Sequence, residues 1–191
     1  MAYNPERLRE LSKMVHETAV IKGWHEEEHS DRTFLMLIIT EVAEAVEADR
    51  KGIFGDTDEM VAFVESKKHD PNCPDYEIWW HAYYKQYVKP SREAEMADIV
   101  IRLLDFAYER YGEQMEWWRT PAARPYEDLR FDENAYYFAT EVLGDGRFAI
   151  SNSIHFVYRW ADMLGFDLDW HIEQKMHYNE GRSYHHGGKA Y

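Results

Sequence analysis

The chain has 191 residues, and its 36 acidic residues against 22 lysines and arginines give a formal net charge of -14 at pH 7. This charge opposes binding to a polynucleotide backbone, so we expect no nucleic-acid partner. It does not oppose a small polyphosphate in the same way, because a metal cation can lie between two sets of negative charges.

Length and cysteine content predict one domain in a reducing compartment. A chain of this size buries a core without disulfides or structural metals. The single cysteine, Cys73, excludes an intramolecular disulfide and suits a reducing cytosol. The sequence has no apolar run of about 18 residues, and its start, MAYNPERLRE, has no signal-peptide character. We therefore expect a soluble, cytoplasmic protein with no membrane partner.

Helix signals begin near the start of the chain. Asn4 followed by Pro5 is typical of a helix start, and the next apolar residues keep helical spacing. Ser30 or Asp31 can cap a second helix from about 32 to 50. Part of this second helix is apolar on every side, so we expect it to be central.

The rest of the sequence is also predicted to be helical. The stretch 51–94 contains a short helix and an aromatic helix that ends before Pro90. Ser91 can cap a third long helix, which closes at Gly112, and further helices follow up to a last one that starts at Asp167. Alternating strand patterns are absent, so the sequence predicts an all-α fold, most simply a helical bundle.

The second helix carries carboxylates beside its apolar residues. Glu41 and Glu44 lie about 60° apart on one helix face, at 100° per residue, in the sector that also holds Leu37 and Ala45. An unpaired carboxylate near apolar surface is costly to ionise. We therefore expect a positive group near this pair.

The third long helix repeats the pattern, because Glu95 and Asp98 are three apart and flanked by apolar residues. If the two helices pack side by side, their E-x-x-E and E-x-x-D pairs converge in a partly buried cleft. Mutual repulsion would raise the pKa values of these acids unless cations neutralise them. Oxygen ligands favour magnesium, manganese or calcium. A single acidic pair is usually solvated surface charge, but two pairs inside apolar helices indicate a metal site.

The last predicted helix ends in groups that suit phosphate oxygens. Lys175 and Asn179 are four apart on one face, and Arg182 follows a glycine turn. The alternative is a solvated cationic helix end, which is favourable to the helix dipole.

At this point the residues resemble a known family, the all-α nucleoside triphosphate pyrophosphohydrolases of the MazG-like type. The segments EVAEAVEA and EMADIVIRLLDFA are similar to the family's two metal helices. The C-terminal segment MLGFDLDWHIEQKMHYNEGRSYHHGGK is similar to its closing segment. The resemblance covers about half of the chain. It implies a single domain, 1–191, with insertions at about 51–94 and 112–152.

The resemblance also implies an activity. The family hydrolyses a nucleoside triphosphate between the α and β phosphates, which gives the monophosphate and pyrophosphate. Magnesium, or manganese in its place, would be held by the four acids, which are the expected catalytic residues: Glu41, Glu44, Glu95 and Asp98. Lys175, Asn179 and Arg182 would bind the phosphates of the substrate. The family builds its bundle from more than one chain, so a homodimer or higher homo-oligomer is expected.

Two other classes of protein are alternatives to this hypothesis. A ferritin-like di-metal bundle needs two E-x-x-H motifs, and only Glu26 with His29 matches. A non-catalytic acidic interaction protein would account for the net charge, but it leaves the apolar setting of the four acids unexplained.

Several aromatic and histidine residues have two interpretations. Trp24, Trp79 and Trp80 are candidates to stack on a base, although large aromatic residues more often pack in a core. His25 and His29 have the spacing of metal ligands on a helix. Because three glutamates lie between them, we expect a solvated turn instead.

Overall fold

The computed structural model describes residues 3–55, 57–67, 75–118 and 124–184, and for Lys67 it describes the backbone alone. Within these ranges the chain forms eight α-helices and no β-strand, so the predicted all-α class is confirmed. In chain order the helices are α1 (Pro5–Ile21), α2 (Asp31–Arg50), α3 (Thr57–Lys67), α4 (Tyr76–Tyr83), α5 (Arg92–Tyr111), α6 (Phe131–Tyr137), α7 (Gly146–Leu164) and α8 (Leu168–Glu180). Cys73, discussed above, lies outside the described residues.

The predicted helix starts are formed by local capping bonds. The Asn4 side chain accepts hydrogen bonds from the backbone of the first turn of α1. Ser30 caps α2 and Ser91 caps α5 in the same way, and Asp167 caps α8. Each cap satisfies a backbone N–H that the helix itself leaves without a partner. Gly112, with φ at 52°, ends α5 in a conformation that favours glycine.

The central helix is α5, so the prediction that α2 is central is wrong. Helix α5 packs against α1, α2, α7 and α8, and its Met96, Ile99 and Leu103 are fully buried. Helix α2 buries Phe34 and Ile38, but Met36 between them is 57% exposed. The apolar block of α2 therefore supplies one buried face only, because α2 lies at the side of the bundle.

The stretch 51–94 forms a second hydrophobic cluster of its own. Its buried members are Met60, Phe63, Trp80, Tyr84, Val88 and Ala94. Trp170 and Tyr178 of α8 pack against this cluster. After α4 the chain continues as one π-helical turn, Tyr84–Val88, which connects α4 to the segment before α5. The predicted insertion thus lies along α8, next to the residues expected to bind phosphate.

The remaining expectations concern the membrane, the domain organisation and the oligomeric state. No helix in the described part of the chain combines the length and apolar character that a membrane span requires. The single-domain assignment 1–191, the two insertions and the homo-oligomer stay predictions.

Loss of the α5 cap should destabilise the fold. Ser91 is fully buried, and its hydroxyl oxygen accepts from the backbone N–H of Ala94 at 3.2 Å. We expect Ser91→Ala to lower the free energy of unfolding by about 1 kcal/mol, as removal of a cap usually does. Urea unfolding followed by circular dichroism measures this change. Ser30→Ala, at the exposed cap of α2, is the matched control with a smaller expected loss, and equal losses would contradict the prediction.

Candidate metal and phosphate site

One pocket collects the residues that the sequence singled out. It has a volume of about 200 Å³ and lies where α1, α2, α5 and α8 meet. All four predicted acids and all three predicted phosphate-binding residues line it: Glu41, Glu44, Glu95, Asp98, Lys175, Asn179 and Arg182. Residues from three distant segments of the sequence therefore meet around one pocket.

Three of the four acids lie close enough together to share an ion. Glu41, Glu95 and Asp98 each offer an oxygen within 4.8 Å of the others. Glu41 and Glu95 are buried, with 8% and 9% exposure. Glu44 lines the same pocket but is exposed and lies outside this trio. Solvent exposure therefore increases from Glu41 and Glu95, through Asp98, to Glu44.

Two cations of the protein bond to the trio. The Arg102 Nε donates to Glu41 Oε1 at 3.0 Å, and the Lys175 ammonium contacts the Asp98 carboxylate. Lys175 is only 3% exposed. The positive group expected beside the α2 acids is therefore Arg102, which the sequence reasoning missed. Its signal was available, because Arg102 follows Asp98 by one helical turn.

Burial and repulsion disturb the titration of the acids. Burial, together with the nearby Asp98 carboxylate, raises the pKa of Glu95 to about 8, and the Lys175 ammonium offsets only part of this rise. The same two causes raise the pKa of Glu41, against the opposing effect of Arg102. The predicted rise in pKa is confirmed for Glu41 and Glu95, with burial rather than repulsion as its larger cause. If all four acids ionise, the two bonded cations leave two negative charges without compensation, which two protons or one divalent cation can neutralise.

Lys175 stays protonated in this setting. Burial acts to lower the pKa of Lys175, but the Asp98 and Glu95 carboxylates outweigh it and raise that pKa. The structure therefore places Lys175 as a partner of the acids, whereas the sequence assigned it to phosphate. Its buried ammonium and Asp98 depend on each other, since removal of either leaves a buried charge alone.

The end of α8 is held in place by the neighbouring α1. Lys22 Nζ donates to the backbone carbonyls of Glu180 and Arg182, both at 2.6 Å. A side chain at Gly181 would overlap the His81 imidazole, so α4 also packs tightly here. The turn is therefore ordered, which is the condition for Arg182 to face the pocket together with Asn179.

Groups suited to a phosphate remain available around this turn. The Asn179 Oδ1 atom is buried, and among the described residues it has no hydrogen-bond partner. This oxygen accepts hydrogen bonds, so a phosphate would be bound by the Nδ2 amide of the same side chain. The Arg182 guanidinium lies 6.0 Å from the Tyr178 ring centroid, and Lys89 Nζ lies 5.9 Å from the same centroid. Lys89 also lines the pocket and comes from the predicted insertion 51–94. Sequence reasoning missed Lys89, because no local pattern joins it to α8.

The three tryptophans that are candidates to stack on a base differ in whether they line the pocket. Trp24 lines the pocket. Trp80 is 2% exposed and belongs to the second hydrophobic cluster, where it stacks on Tyr84 with ring centroids 5.1 Å apart. Trp79 is 52% exposed and does not line the pocket. Only Trp24 therefore remains as a candidate to contact a base.

The prediction of a solvated turn is wrong for His25. Its side chain is 9% exposed, and its Nε2 lies 2.9 Å from Asp105 Oδ1. His29 Nε2 lies 3.2 Å from the Trp24 carbonyl oxygen. Glu26, the other residue of the E-x-x-H match, contacts the Tyr184 hydroxyl. The histidines of this segment thus face protein groups, and His25 reaches α5.

Comparison of the chain with protein-family models, with curated proteins and with solved structures finds no match. The resemblance to MazG-like enzymes therefore depends on the motif residues alone. The support for a function comes from the residues that line the pocket.

The pKa of Glu95 makes the stability of the metal-free protein depend on pH. Its folded pKa, about 8, lies above the ordinary value of 4.5, so the folded state binds the proton more tightly. The stability that this proton contributes is complete below pH 4.5 and is lost as the pH rises to 8. Glu95→Gln should therefore raise the melting temperature relative to wild type, and the gain should grow between these pH values.

Thermal melts in a chelator at several pH values measure this effect. Glu113→Gln, which removes an exposed glutamate outside the pocket, is the control and should show no growing gain. A constant difference between Glu95→Gln and wild type across this pH range would contradict the assignment.

Proposed function

We propose that the protein is a magnesium-dependent nucleoside triphosphate pyrophosphohydrolase, with manganese as an alternative ion. It would cleave between the α and β phosphates and release the nucleoside monophosphate and pyrophosphate. One observation carries the proposal: the oxygen-only trio Glu41, Glu95 and Asp98 shares its pocket with cationic groups at the end of α8. A site that binds only a metal ion through its acids would not need these cations, whereas a site for a phosphate would.

The donor set fits a hard divalent cation. Its atoms are carboxylate oxygens, which magnesium and manganese prefer over nitrogen or sulfur. Glu41, Glu95 and Asp98 would hold the ion, and Glu44 would complete the set from the open side of the pocket. When bound, the ion would neutralise phosphate oxygens, polarise the attacked phosphorus and lower the pKa of a water molecule.

The side chains of the protein would perform the remaining work. A carboxylate oxygen of the cluster would orient the attacking water and accept its proton. Lys175 would hold Asp98 in position through their ion pair. Asn179 and Arg182, with Lys89 from the segment 51–94, would hold phosphate oxygens by charge-assisted hydrogen bonds.

The residues that line the pocket, rather than its volume of about 200 Å³, support a nucleotide as the ligand. Acids line the side formed by α2 and α5, whereas Lys89 and Arg182 lie at the side of α8. Trp24, Val15 and Ala19 supply an aromatic and apolar wall at the side of α1. A nucleoside triphosphate needs these three surfaces, for its metal, its phosphates and its base. Pyrophosphate release from each common nucleoside triphosphate, with and without magnesium, tests the proposal directly.

Removal of an acid should abolish turnover and leave the fold intact. We expect Glu44→Gln and Glu95→Gln to lower kcat/KM by about 100-fold or more, because metal-based charge stabilisation contributes several kcal/mol. Circular dichroism should be unchanged, since each substitution removes repulsion between like charges. The control is Glu47→Gln, an exposed acid of α2 that bonds to Lys51 outside the pocket. Near wild-type turnover in Glu44→Gln and Glu95→Gln would refute the metal assignment.

The groups at the end of α8 should affect the substrate without affecting the metal. We expect Arg182→Ala and Asn179→Ala each to lower kcat/KM about tenfold or more, the loss of a charge-assisted bond of roughly 1.5 to 3 kcal/mol. Magnesium affinity without nucleotide should barely change. Arg147→Ala removes an exposed arginine on α7, away from the pocket, and serves as control. Unaltered turnover, or metal binding lost together with it, would rule out this assignment.

A further inference from the structure

A second group of metal-binding side chains lies beside the pocket and has no part in the proposed hydrolysis. His16 comes from α1, His25 from the loop between α1 and α2, and Asp105 and Glu109 lie one turn apart on α5. The two imidazole rings have centroids 4.5 Å apart. The group therefore joins three segments of the chain through nitrogen and oxygen donors.

One nitrogen of each ring faces the same carboxylate oxygen. His25 Nδ1 lies 3.3 Å from Glu109 Oε2, and His16 Nε2 lies 3.8 Å from it. The second of these distances is too long for a hydrogen bond. The first distance suits two ligands of one ion, since bonds of 2.0 to 2.2 Å in a tetrahedral site separate neighbouring ligands by about 3.3 to 3.6 Å. The second distance is slightly longer than this range. The other oxygen of Glu109 lies 3.4 Å from Arg110 Nη1, which holds the carboxylate in this orientation.

The opposite nitrogens of the two rings share a second carboxylate. His25 Nε2 lies 2.9 Å and His16 Nδ1 3.0 Å from Asp105 Oδ1. Burial acts to raise the pKa of Asp105, but its bonds to the two imidazoles outweigh burial and lower that pKa. A metal-ligating histidine usually donates its second ring N–H to such a carboxylate, which fixes the tautomer and the ring orientation. Asp105 does this for both rings at once.

We propose that His16 Nε2, His25 Nδ1 and Glu109 Oε2 bind a first-row transition-metal dication of the zinc type, with Asp105 as the positioning residue of both imidazoles. Two nitrogens and one oxygen suit such an ion and do not suit magnesium. The three ligand residues are the set whose donor atoms lie within 4.8 Å of one another. Side-chain exposures of 9% to 27% leave an entry path for the ion.

The ion would join the loop between α1 and α2 to the central helix. This loop carries Trp24 and follows Lys22, and both line the pocket. Asp105 also lines the pocket, so the second site lies directly behind its wall. The site is independent of the proposed hydrolysis, because none of its ligands belongs to the oxygen-only trio.

Cobalt absorption and zinc calorimetry test the proposal. The titrations use the full chain with His185→Ala and His186→Ala, so that the adjacent C-terminal histidines cannot bind the probe. We expect a visible band typical of nitrogen ligands that saturates with Co²⁺ and is displaced by Zn²⁺. A second Co²⁺ ion can bind at the oxygen-only trio without adding to this band. His16→Gln and His25→Gln should abolish the band, and Asp105→Asn should weaken affinity by about 10- to 100-fold.

Two controls separate this site from other metal-binding groups. Glu95→Gln disables the oxygen-only trio and should keep the band. His177→Ala removes a half-buried histidine of α8 and should also keep it. Absence of saturable binding in the parent, or a band that survives both histidine substitutions, overturns the proposal and leaves an ion-pair network. If a variant fails to fold, X-ray absorption of the zinc-loaded parent decides: two imidazole ligands support the site, and an oxygen-only shell overturns it.

Discussion

The contact on which the pocket depends is the ion pair between Lys175 of α8 and Asp98 of α5. Both groups lie in the interior, where a charge without its partner is strongly destabilising. The pair therefore fixes which face of α8 meets α5. Because Asn179 lies one helical turn after Lys175, the same rotation turns it toward the acids, and Lys22 then holds the following turn of Arg182. One buried pair thus orients the whole C-terminal side of the pocket.

Helix α5 carries its charged chemistry along a single line. Asp98, Arg102, Asp105 and Glu109 recur at intervals of four, three and four residues, so they share one face at 100° per residue. The first two face the α2 acids and Lys175, and the last two face the imidazoles of His16 and His25. Between Met96 and Ala107 the other residues of α5 are apolar, and most of them are buried in the core. A central helix with one polar line can build two neighbouring sites without opening the bundle.

The predicted insertion 51–94 takes part in the site through packing. Its aromatic residues form the second cluster, which lies against Trp170 and Tyr178 of α8. This contact brings Lys89 to the pocket, and the His81 ring leaves room for glycine alone at Gly181. The predicted insertion 51–94 therefore shapes the cationic end of the pocket. Differences in ligand preference are expected to arise there, since loops and added segments around a rigid scaffold commonly set specificity.

The sequence by itself determined the features that depend on near neighbours in the chain. Caps such as Asn4 and Ser91, the helix ends, and the acid pairs on single helix faces follow from interactions within four residues. Tertiary structure decided which helix is central, why Met36 is exposed, and which of the tryptophans reaches the pocket. It also decided the partners of Glu41 and His25, because Arg102 and Asp105 lie 61 and 80 residues away. Local periodicity specifies the helix face on which a charged residue lies. The packing of distant helices decides which counter-charge that residue meets.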